Sequence, residues 1–382
     1  MPNTVAIVAN TSWYVFNFRA ALIRNLLNDG NEVIVLAPYD RYAEELQRWG
    51  VRYCATSMHN NGTNPLRDLA LTYKLYRLFR CERPDVVLTY TIKPNIYASV
   101  AAGALGIPVI NNVSGLGTLF IESGPVTRLV QRMYRIAMRR SAKVFFQNND
   151  DMAVFLDAGL VHPGVTERIP GSGVDTGRFA LAEAGRNSKH FTFLLPARLL
   201  WHKGVGEFVA AAKALKTKYP HTRFQLLGFL DVANRSAITR AQVEVWVHEG
   251  LVEYLGVTDN VVEPLGAADC VVLPSYYREG VPRSLLEAAS VGKPIITTHS
   301  VGCKEVVDEG VNGFLCAPRD AEDLAAKMER MMNLSQSERI TMGLRGREKM
   351  IREFDERFVI DRYMSAIQEA LTPHAVFGVT TA

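Results

Sequence analysis

The sequence predicts an α/β protein with two doubly wound parallel-sheet domains, a linker between them and a helical tail. The chain has 382 residues, which is more than a single core usually supports. In each half, short Val/Ile-rich strand patterns alternate with helical patterns, and a Gly/Pro-rich stretch separates the halves. We place the domains at residues 1–170 and 186–355, the linker at 171–185 and the tail at 356–382.

The first half alternates strands and helices in the order expected of a parallel sheet. The predicted strands are TVAIVA, NEVIVLAP, DVVLTY, IPVINNV and KVFFQ. The predicted helices are FNFRAALIRNLLNDG, RYAEELQRWG, PLRDLALTYKLYRLFR, NIYASVAAGALG and residues 125–140.

The same alternation restarts after the linker. The predicted strands are FTFLLPA, FQLLGF, VEYLG, DCVVLPS and PIITT. Helices are predicted at GVGEFVAAAKALKTKY, around AITRAQVEVWVHEG and after Pro282, and residues 335–371 have mainly helical periodicity.

Composition excludes several classes of protein. The five cysteines form no CxxC pair, no His-x3-His or Asp-x-Asp motif occurs, and the N-terminus lacks the pattern of a signal peptide. The uncharged stretch after Pro94 is long enough to span a bilayer, but its Pro, Asn and Gly residues argue against a transmembrane helix. We therefore expect no metal site and no membrane span.

The net charge of +4 is unevenly distributed. Residues 65–143 contain 12 Lys/Arg against 4 Asp/Glu, which predicts an anionic partner for the first half. In the helix at residues 125–140, four arginines share one face at spacings of 4, 7 and 11 from the first: Arg128, Arg132, Arg135 and Arg139. A basic face beside apolar positions suits docking on anionic lipid, although a solvated charged face over a core stripe gives the same pattern.

Two basic residues follow the strand FTFLLPA in the second half. Arg198 and Lys203 lie in the strand-to-helix loop RLLWHKG, at the edge where doubly wound sheets bind ligands. Together they can bind adjacent phosphates, although two solvated surface charges explain them equally well. His202 lies between them, and a surface imidazole is its simpler interpretation.

Two glutamates, Glu279 and Glu287, stand eight positions apart in REGVPRSLLEAASVGKP. The first lies in a Gly/Pro turn and the second within a predicted helix whose N-terminal end favours anions. The spacing fits a nucleotide-sugar, with the sugar at Glu279, the phosphates at the helix end and the ribose at Glu287. A loop glutamate followed by a helix-surface glutamate is the alternative.

The combination of Arg198, Lys203, the E-x7-E pair, GVPRSLLEAASVGKPIITT, EGVNGFL and IPGSGVD resembles the retaining GT-B glycosyltransferases of family 4. The resemblance covers nearly the whole chain. It implies two Rossmann-like domains facing a cleft, a C-terminal helix that crosses back to the first domain, and a UDP-sugar donor used without a required cofactor or metal.

The resemblance also assigns roles to residues. It makes Arg198 and Lys203 ligands of the donor diphosphate, Glu279 the contact to the donor sugar and Glu287 the contact to the ribose. Gly280 and Val281 contribute backbone groups, and Glu279, Arg198 and Lys203 form the catalytic set. No general base is evident in the sequence.

The acceptor is expected in the first half. Family members often have a Gly-Gly pair after the first strand, whereas this chain has aromatic residues, including Trp13 and Tyr14. These two residues, with Asn112, Gly115 and Gly117 of NNVSGLGTLF, are candidate acceptor contacts. A core role is the alternative for neighbouring Phe16 and Phe18.

The segments HNNGTNPLRD, TYTIKPN and NNVSGLGTLF resemble transferases that add N-acetylgalactosamine to undecaprenyl-diphosphate-linked sugars in bacteria. This resemblance implies a lipid-linked sugar acceptor and a peripheral location on the cytoplasmic face of the inner membrane, with no nucleic-acid partner. A nucleotide-sugar epimerase, transfer to a soluble acceptor, and a basic membrane- or nucleic-acid-binding module remain alternatives.

Overall fold

A computed structural model describes residues 2–58, 64–117, 124–182, 190–232 and 234–372. These residues form two compact units. Unit 1 takes the described residues within 1–114, 119–169 and 359–382, and unit 2 takes those within 115–118 and 170–358. The chain therefore passes from unit 1 to unit 2 twice, at residue 115 and at residue 170, and returns to unit 1 at residue 359.

Unit 1 is built on a seven-stranded parallel sheet among its described residues. The strands are β1 Thr4–Val8, β2 Glu32–Ala37, β3 Arg52–Ala55, β4 Val86–Tyr90, β5 Val109–Val113, β6 Ser141–Phe146 and β7 Thr166–Arg168. Their spatial order is β3-β2-β1-β4-β5-β6-β7, so the winding direction reverses between β1 and β4. Such a reversal opens a crevice at the carboxyl ends of the two strands, where doubly wound sheets bind ligands.

The helices of unit 1 cover the buried strands. They are α1 Ser12–Asn28, α2 Arg41–Arg48, α3 Pro65–Glu82, α4 Ile92–Gly103, α5 Pro125–Met138 and α6 Asn149–Asp157. The C-terminal helix, α13 Glu356–Leu371, then buries Val359, Tyr363, Ala366 and Ile367 in the same core as β1 and β4. The crossing helix expected from the sequence is thus part of the first domain's core.

Unit 2 repeats the arrangement with a six-stranded parallel sheet in the part of the chain that is described. Its strands are β8 Thr192–Pro196, β9 Arg223–Leu227, β10 Glu253–Tyr254, β11 Cys270–Leu273, β12 Ile295–Thr298 and β13 Gly313–Cys316. Its helices are α7 Val205–Lys218, α8 Arg240–His248, α9 Val262–Ala267, α10 Arg283–Ser290, α11 Ala321–Asn333 and α12 Gln336–Lys349. The strand order β10-β9-β8-β11-β12-β13 reverses between β8 and β11.

The predicted fold class is confirmed, and the predicted strands and helices all occur. The sequence analysis missed β3, β7, β13, α6, α9 and α11, most of which are short or polar. It also started the first helix too late, because Thr11 caps α1 by accepting a hydrogen bond from the backbone N–H of Tyr14 at 3.1 Å. Among the described residues, no helix combines the length and apolar character that a membrane span requires.

Candidate functional site

Arg198, Lys203 and Glu279 lie at the reversal point of the unit 2 sheet. Arg198 and Lys203 follow β8, and Glu279 follows β11, the neighbouring strand. Gly204 has φ +79°, and a Cβ at this position would overlap the backbone of Pro274, so glycine lets the two loops approach closely. The sheet topology therefore brings Glu279 to the loop of Arg198 and Lys203, although Glu279 lies 76 positions after Lys203 in the sequence.

Lys203 and Glu279 form an ion pair in which the side chains are 12% and 14% exposed. The buried Ser275 supports it, because its hydroxyl donates to Glu279 Oε1 at 3.1 Å and to the carbonyl of His202 at 3.2 Å. A largely desolvated carboxylate and ammonium interact more strongly than an exposed pair. The two residues predicted to contact the donor thus hold each other in place.

His202 is half-buried and stacks on Tyr277, with 4.4 Å between ring centroids. The pKa of His202 is lowered to about 4, chiefly by burial, with Lys203 and Arg198 adding to the shift and Glu279 opposing it. Its carbonyl accepts hydrogen bonds from the backbone N–H groups of Tyr276 and Tyr277 at 3.1 and 3.2 Å. His202 is therefore a neutral residue that orders the loop after β11, and its interpretation as a surface imidazole was wrong.

Gly280 and Val281 connect Glu279 to α10, and both are buried. Pro282, which suits the first position of a helix, is instead its N-cap, so the helix begins at Arg283, and no side chain caps it. A Cβ on Gly302 would overlap the carbonyl of Gly280. The backbone around Gly280 is consequently fixed by close packing.

Glu287 lies in α10 with a side chain only 16% exposed, and Arg283, one turn earlier, donates to it from Nε at 2.9 Å. Burial raises the pKa of Glu287, while Arg283 opposes the shift. The alternative of a helix-surface glutamate is therefore wrong. A carboxylate this desolvated is a strong acceptor for hydroxyl groups.

Gly115 and Gly117 group with unit 2, although they follow β5 of unit 1. Gly115 has φ +102°, and a Cβ there would lie 2.5 Å from the backbone nitrogen of Gly280. The backbone N–H of Gly117 donates to the carbonyl of Arg278 at 3.2 Å. These glycines, predicted as acceptor contacts, thus lie against the loop that carries Glu279.

The other predicted acceptor residues belong to unit 1. Trp13 and Tyr14 are half-buried in the first turn of α1, so they lie on a helix and not in the predicted loop. Asn112 is fully buried, and its side-chain amide donates to the hydroxyl of Tyr363 at 2.8 Å. Asn112 is consequently placed in the polar part of the core, whereas Trp13 and Tyr14 stay near the surface.

The arginines predicted to dock on membrane are all exposed. Arg128, Arg132 and Arg139 point outward from α5 or its C-terminal end. Arg135 donates to the carbonyls of Ala158 and Gly159 at 2.8 and 3.1 Å, which satisfies carbonyls at the end of α6. One of the four predicted docking residues therefore has a structural role as well.

Sequence analysis missed three contributors to the unit 2 site: Ser275, Tyr277 and Arg283. The spacing of four between Arg283 and Glu287 on a predicted helix was a readable signal for an ion pair. Ser275 and Tyr277 gave no such signal, because their contacts depend on the packing of the loops after β8 and β11. Across the described ranges, no group of three or more His, Cys, Asp or Glu side chains is arranged to hold a metal ion.

Two family models match the chain. Residues 18–171 match the glycosyl transferase 4-like domain, and residues 190–333 match the glycosyl transferases group 1 model. The second match includes Arg198, Lys203, Glu279 and Glu287.

The relatives found among curated proteins include bacterial transferases. The chain is 27% identical, over 92% of its length and 94% of the relative's, to the Campylobacter jejuni N,N'-diacetylbacillosaminyl-diphospho-undecaprenol alpha-1,3-N-acetylgalactosaminyltransferase. It is 26% identical, over 70% of its length and 71% of the relative's, to the Escherichia coli UDP-Gal:alpha-D-GlcNAc-diphosphoundecaprenol alpha-1,3-galactosyltransferase.

Solved structures match the fold along most of the chain. A glycosyltransferase from Rickettsia africae superimposes with a TM-score of 0.79 at 18% identity, covering 97% of this chain and 99% of that one. Anabaena HepE in complex with UDP-glucose gives a TM-score of 0.78 at 18% identity, covering 96% and 99%. The chain therefore belongs to the group 1 glycosyltransferases and has the GT-B fold.

Proposed function

We propose that the protein transfers a sugar, an N-acetylhexosamine such as N-acetylgalactosamine, from a UDP-sugar to a polyprenyl-diphosphate-linked sugar in bacterial glycan assembly. The observation that carries the proposal is the cluster of Arg198, Lys203 and Glu279 at the reversal point of the unit 2 sheet. The sugar identities are supported by the names of the Campylobacter jejuni and Escherichia coli relatives.

Each residue of the cluster has a role in the proposed reaction. Arg198 and Lys203 neutralise the diphosphate, and no metal ion is needed for that task. Glu279, once released from Lys203, accepts hydrogen bonds from donor-sugar hydroxyls. Glu287 accepts hydrogen bonds from the ribose diol, while backbone groups of Gly280 and Val281 contact the sugar and phosphate.

The proposed transfer retains the anomeric configuration. The bond between the anomeric carbon and the phosphate oxygen breaks as an acceptor hydroxyl oxygen bonds to the same carbon and face. The electron pair of the broken bond leaves with UDP, and the acceptor proton goes to the departing phosphate. His202 is not the base in this proposal, because burial and the nearby cations lower its pKa to about 4 and make its imidazole a weak base.

A lipid-linked acceptor requires the protein to work at a membrane surface, and unit 1 offers a suitable face. Helices α3 and α5 both pack against α4, so they belong to one layer. On α5, Leu129 and Ile136 lie between the exposed arginines, and their side chains are 55% and 68% exposed. On α3, three apolar residues at spacings of three and four are exposed: Leu66, Leu69 and Tyr73. Exposed apolar side chains beside basic residues favour peripheral binding to an anionic, cytoplasmic membrane face.

The experiment that tests this function uses a panel of radiolabelled UDP-sugars with the purified protein and a bacterial membrane extract, partitioned between butanol and water. Label entering butanol from one donor supports the proposal and identifies the sugar. A new water-soluble glycoside supports a soluble acceptor instead. Conversion of the donor sugar without any acceptor would indicate an epimerase. Salt-sensitive binding to generic DNA with no UDP-sugar binding would indicate a nucleic-acid-binding module.

A further inference from the structure

Unit 1 has a reversal point of its own, between β1 and β4, and a cluster of aromatic residues surrounds one arginine there. Arg19 lies on α1, the helix that follows β1, and Tyr90 is the last residue of β4. Tyr14, from the first turn of α1, and Tyr363, from α13, complete the group. We call Arg19, Tyr14, Tyr90 and Tyr363 the arginine cluster.

The charge of Arg19 is buried without a counter-ion. Its side chain is 2% exposed, and no aspartate or glutamate pairs with it in the described part of the chain. Its guanidinium carbon lies 4.2 Å from the ring centroid of Tyr90, 5.6 Å from that of Tyr14 and 5.7 Å from that of Tyr363. Aromatic faces attract a cation, but they do not replace the hydrogen bonds that a desolvated guanidinium loses.

Hydrogen-bonding capacity in the cluster is also unused. The Nε of Arg19 is buried and has no hydrogen-bond partner among the described residues, and the buried hydroxyl of Tyr90 interacts with Tyr363. Buried polar atoms are nearly always paired in folded proteins, so an unpaired guanidinium N–H calls for an explanation. A ligand with acceptor oxygens would satisfy the arginine.

Tyr14 connects the buried charge to the surface. Arg19 donates from Nη2 to the hydroxyl oxygen of Tyr14 at 2.9 Å, so the hydroxyl proton of Tyr14 is directed elsewhere. Tyr14 is only half-buried, as is its neighbour Trp13. The hydroxyl of Tyr14 is thus a donor on a half-buried residue with a positive charge behind it, which is the arrangement that an anion requires.

We propose that the arginine cluster is a phosphate-binding subsite of unit 1, and that it binds the diphosphate of the lipid-linked acceptor. The inference rests on the proposed function, which needs an acceptor diphosphate, and it places that diphosphate at the reversal point of unit 1. The donor diphosphate already has Arg198 and Lys203 of unit 2. The unpaired Nε of Arg19 and the hydroxyl of Tyr14 supply donors to the acceptor's phosphate oxygens.

The test measures direct binding of three probes to the full-length protein by calorimetry: farnesyl diphosphate, farnesol and UDP. The variants are Arg19→Met, which removes the charge, Arg19→Lys, which retains it, and Tyr14→Phe, which removes only a half-buried hydroxyl. Arg24→Met is the matched control, because Arg24 is exposed on the same helix and stacks on Trp49 at 4.8 Å.

We expect Arg19→Met to weaken farnesyl diphosphate binding about tenfold or more, the range for a lost hydrogen bond to a charged group. Arg19→Lys should restore most of the affinity, and Tyr14→Phe should lower it to a lesser extent. Farnesol and UDP affinities should stay unchanged, and Arg24→Met should match the wild type with every probe. If Arg19→Met fails to fold, Tyr14→Phe and Arg19→Lys still decide the question.

Three results would overturn the inference. Unchanged farnesyl diphosphate affinity in both Arg19→Met and Tyr14→Phe would leave the cluster as a structural feature of the core. A selective loss of UDP affinity would assign the phosphate to the donor instead of the acceptor. The proposed function fails separately, when the wild-type protein moves no labelled sugar into butanol. If Arg19→Met transfers sugar to the lipid-linked acceptor with an unchanged KM for that acceptor, the inference is wrong although the proposed function is supported.

Discussion

Lys203 and Glu279 neutralise each other, although each is proposed to contact a different part of the donor. A diphosphate must therefore compete with a carboxylate for Lys203, and the sugar gains Glu279 only after that exchange. Donor binding is thus coupled to the breaking of one buried ion pair.

The first prediction separates the two partners. Glu279→Gln should bind UDP at least as tightly as the wild type but transfer no sugar, because Lys203 is then free and the sugar contact is lost. Lys203→Met should weaken UDP binding about tenfold or more. Either single change should destabilise the fold by about 3 kcal/mol, since it leaves a buried charge unpaired.

The measurements for this pair are UDP affinity, transfer rate and urea unfolding. The double variant Lys203→Met/Glu279→Gln should lose less stability than the sum of the losses in the two single variants. Each single variant breaks the same ion pair, so that sum counts the loss of the pair twice. Additive losses of stability, or a tenfold weaker UDP affinity in Glu279→Gln, would contradict the proposal that the diphosphate and Glu279 compete for Lys203.

The second prediction concerns Glu287. Glu287→Ala should weaken UDP binding about tenfold, because the ribose diol loses a charged acceptor. Glu329→Ala is the matched control, since Glu329 is also a helical glutamate with basic and tyrosine partners, Lys218 and Tyr219. Calorimetry with UDP and with uracil distinguishes the ribose contact, because uracil affinity should not change. Equal UDP affinity in both variants would show that Glu287 does not contact the ribose.

The third prediction uses two glycines with similar backbone conformations. Gly50 has φ +89° with open space around it, whereas Gly115 has φ +102° and lies against Gly280. Gly50→Ala should cost about 1 kcal/mol in stability and leave the transfer rate unchanged, because only backbone strain is added. Gly115→Ala should also lower the transfer rate at least tenfold, since its Cβ displaces the loop that carries Glu279. If the two variants retain equal transfer rates, the close approach has no functional role.

The fourth prediction follows from the pKa of His202, which is lowered to about 4. The unfolded state binds a proton near pH 6.5, whereas the folded state does so only near pH 4, so stability falls as the pH drops through this interval. In His202→Gln this contribution is absent, and the free energy of unfolding should fall less between pH 6.5 and 4.5. Urea unfolding at several pH values measures both slopes, and parallel slopes would contradict the prediction.

The fifth prediction tests the membrane face. Replacing Arg128, Arg132 and Arg139 by Glu should release the protein from vesicles of anionic phospholipid while UDP affinity is retained. Arg135 is left intact because it caps α6. The control replaces three exposed arginines of unit 2 by Glu: Arg240, Arg330 and Arg352. Sedimentation with vesicles should show release only for the unit 1 variant, and retention of that variant on the vesicles would count against docking.

The fold was predictable because buried parallel strands are continuous Val/Ile-rich runs, and these appear plainly at β1, β2, β4 and β11. The strands that were missed are different in kind. β3 has the sequence RYCA with no fully buried residue, and β7 is the three-residue segment TER. Such edge strands form because they pair with a neighbouring strand of the sheet, so their own sequence shows no pattern that predicts them.

The candidate site was predictable only in part. Arg198, Lys203, Glu279 and Glu287 could be proposed from motif spacing and from the side of the sheet on which their loops emerge. The pairing of Lys203 with Glu279, the neutral state of His202 and the burial of Asn112 depend on long-range packing, which spacing cannot report. The arginine cluster combines α1, β4 and α13, and no single sequence segment indicates it.

The return of α13 to unit 1 has a consequence for synthesis on the ribosome. The core around β1 needs Val359, Tyr363 and Ile367, which leave the ribosome only after every residue of unit 2 up to 358 has been made. Unit 2 can therefore complete its core during translation, while unit 1 exposes an apolar surface until α13 has emerged. Nascent chains that lack the last helix should accordingly depend on chaperones through their N-terminal half.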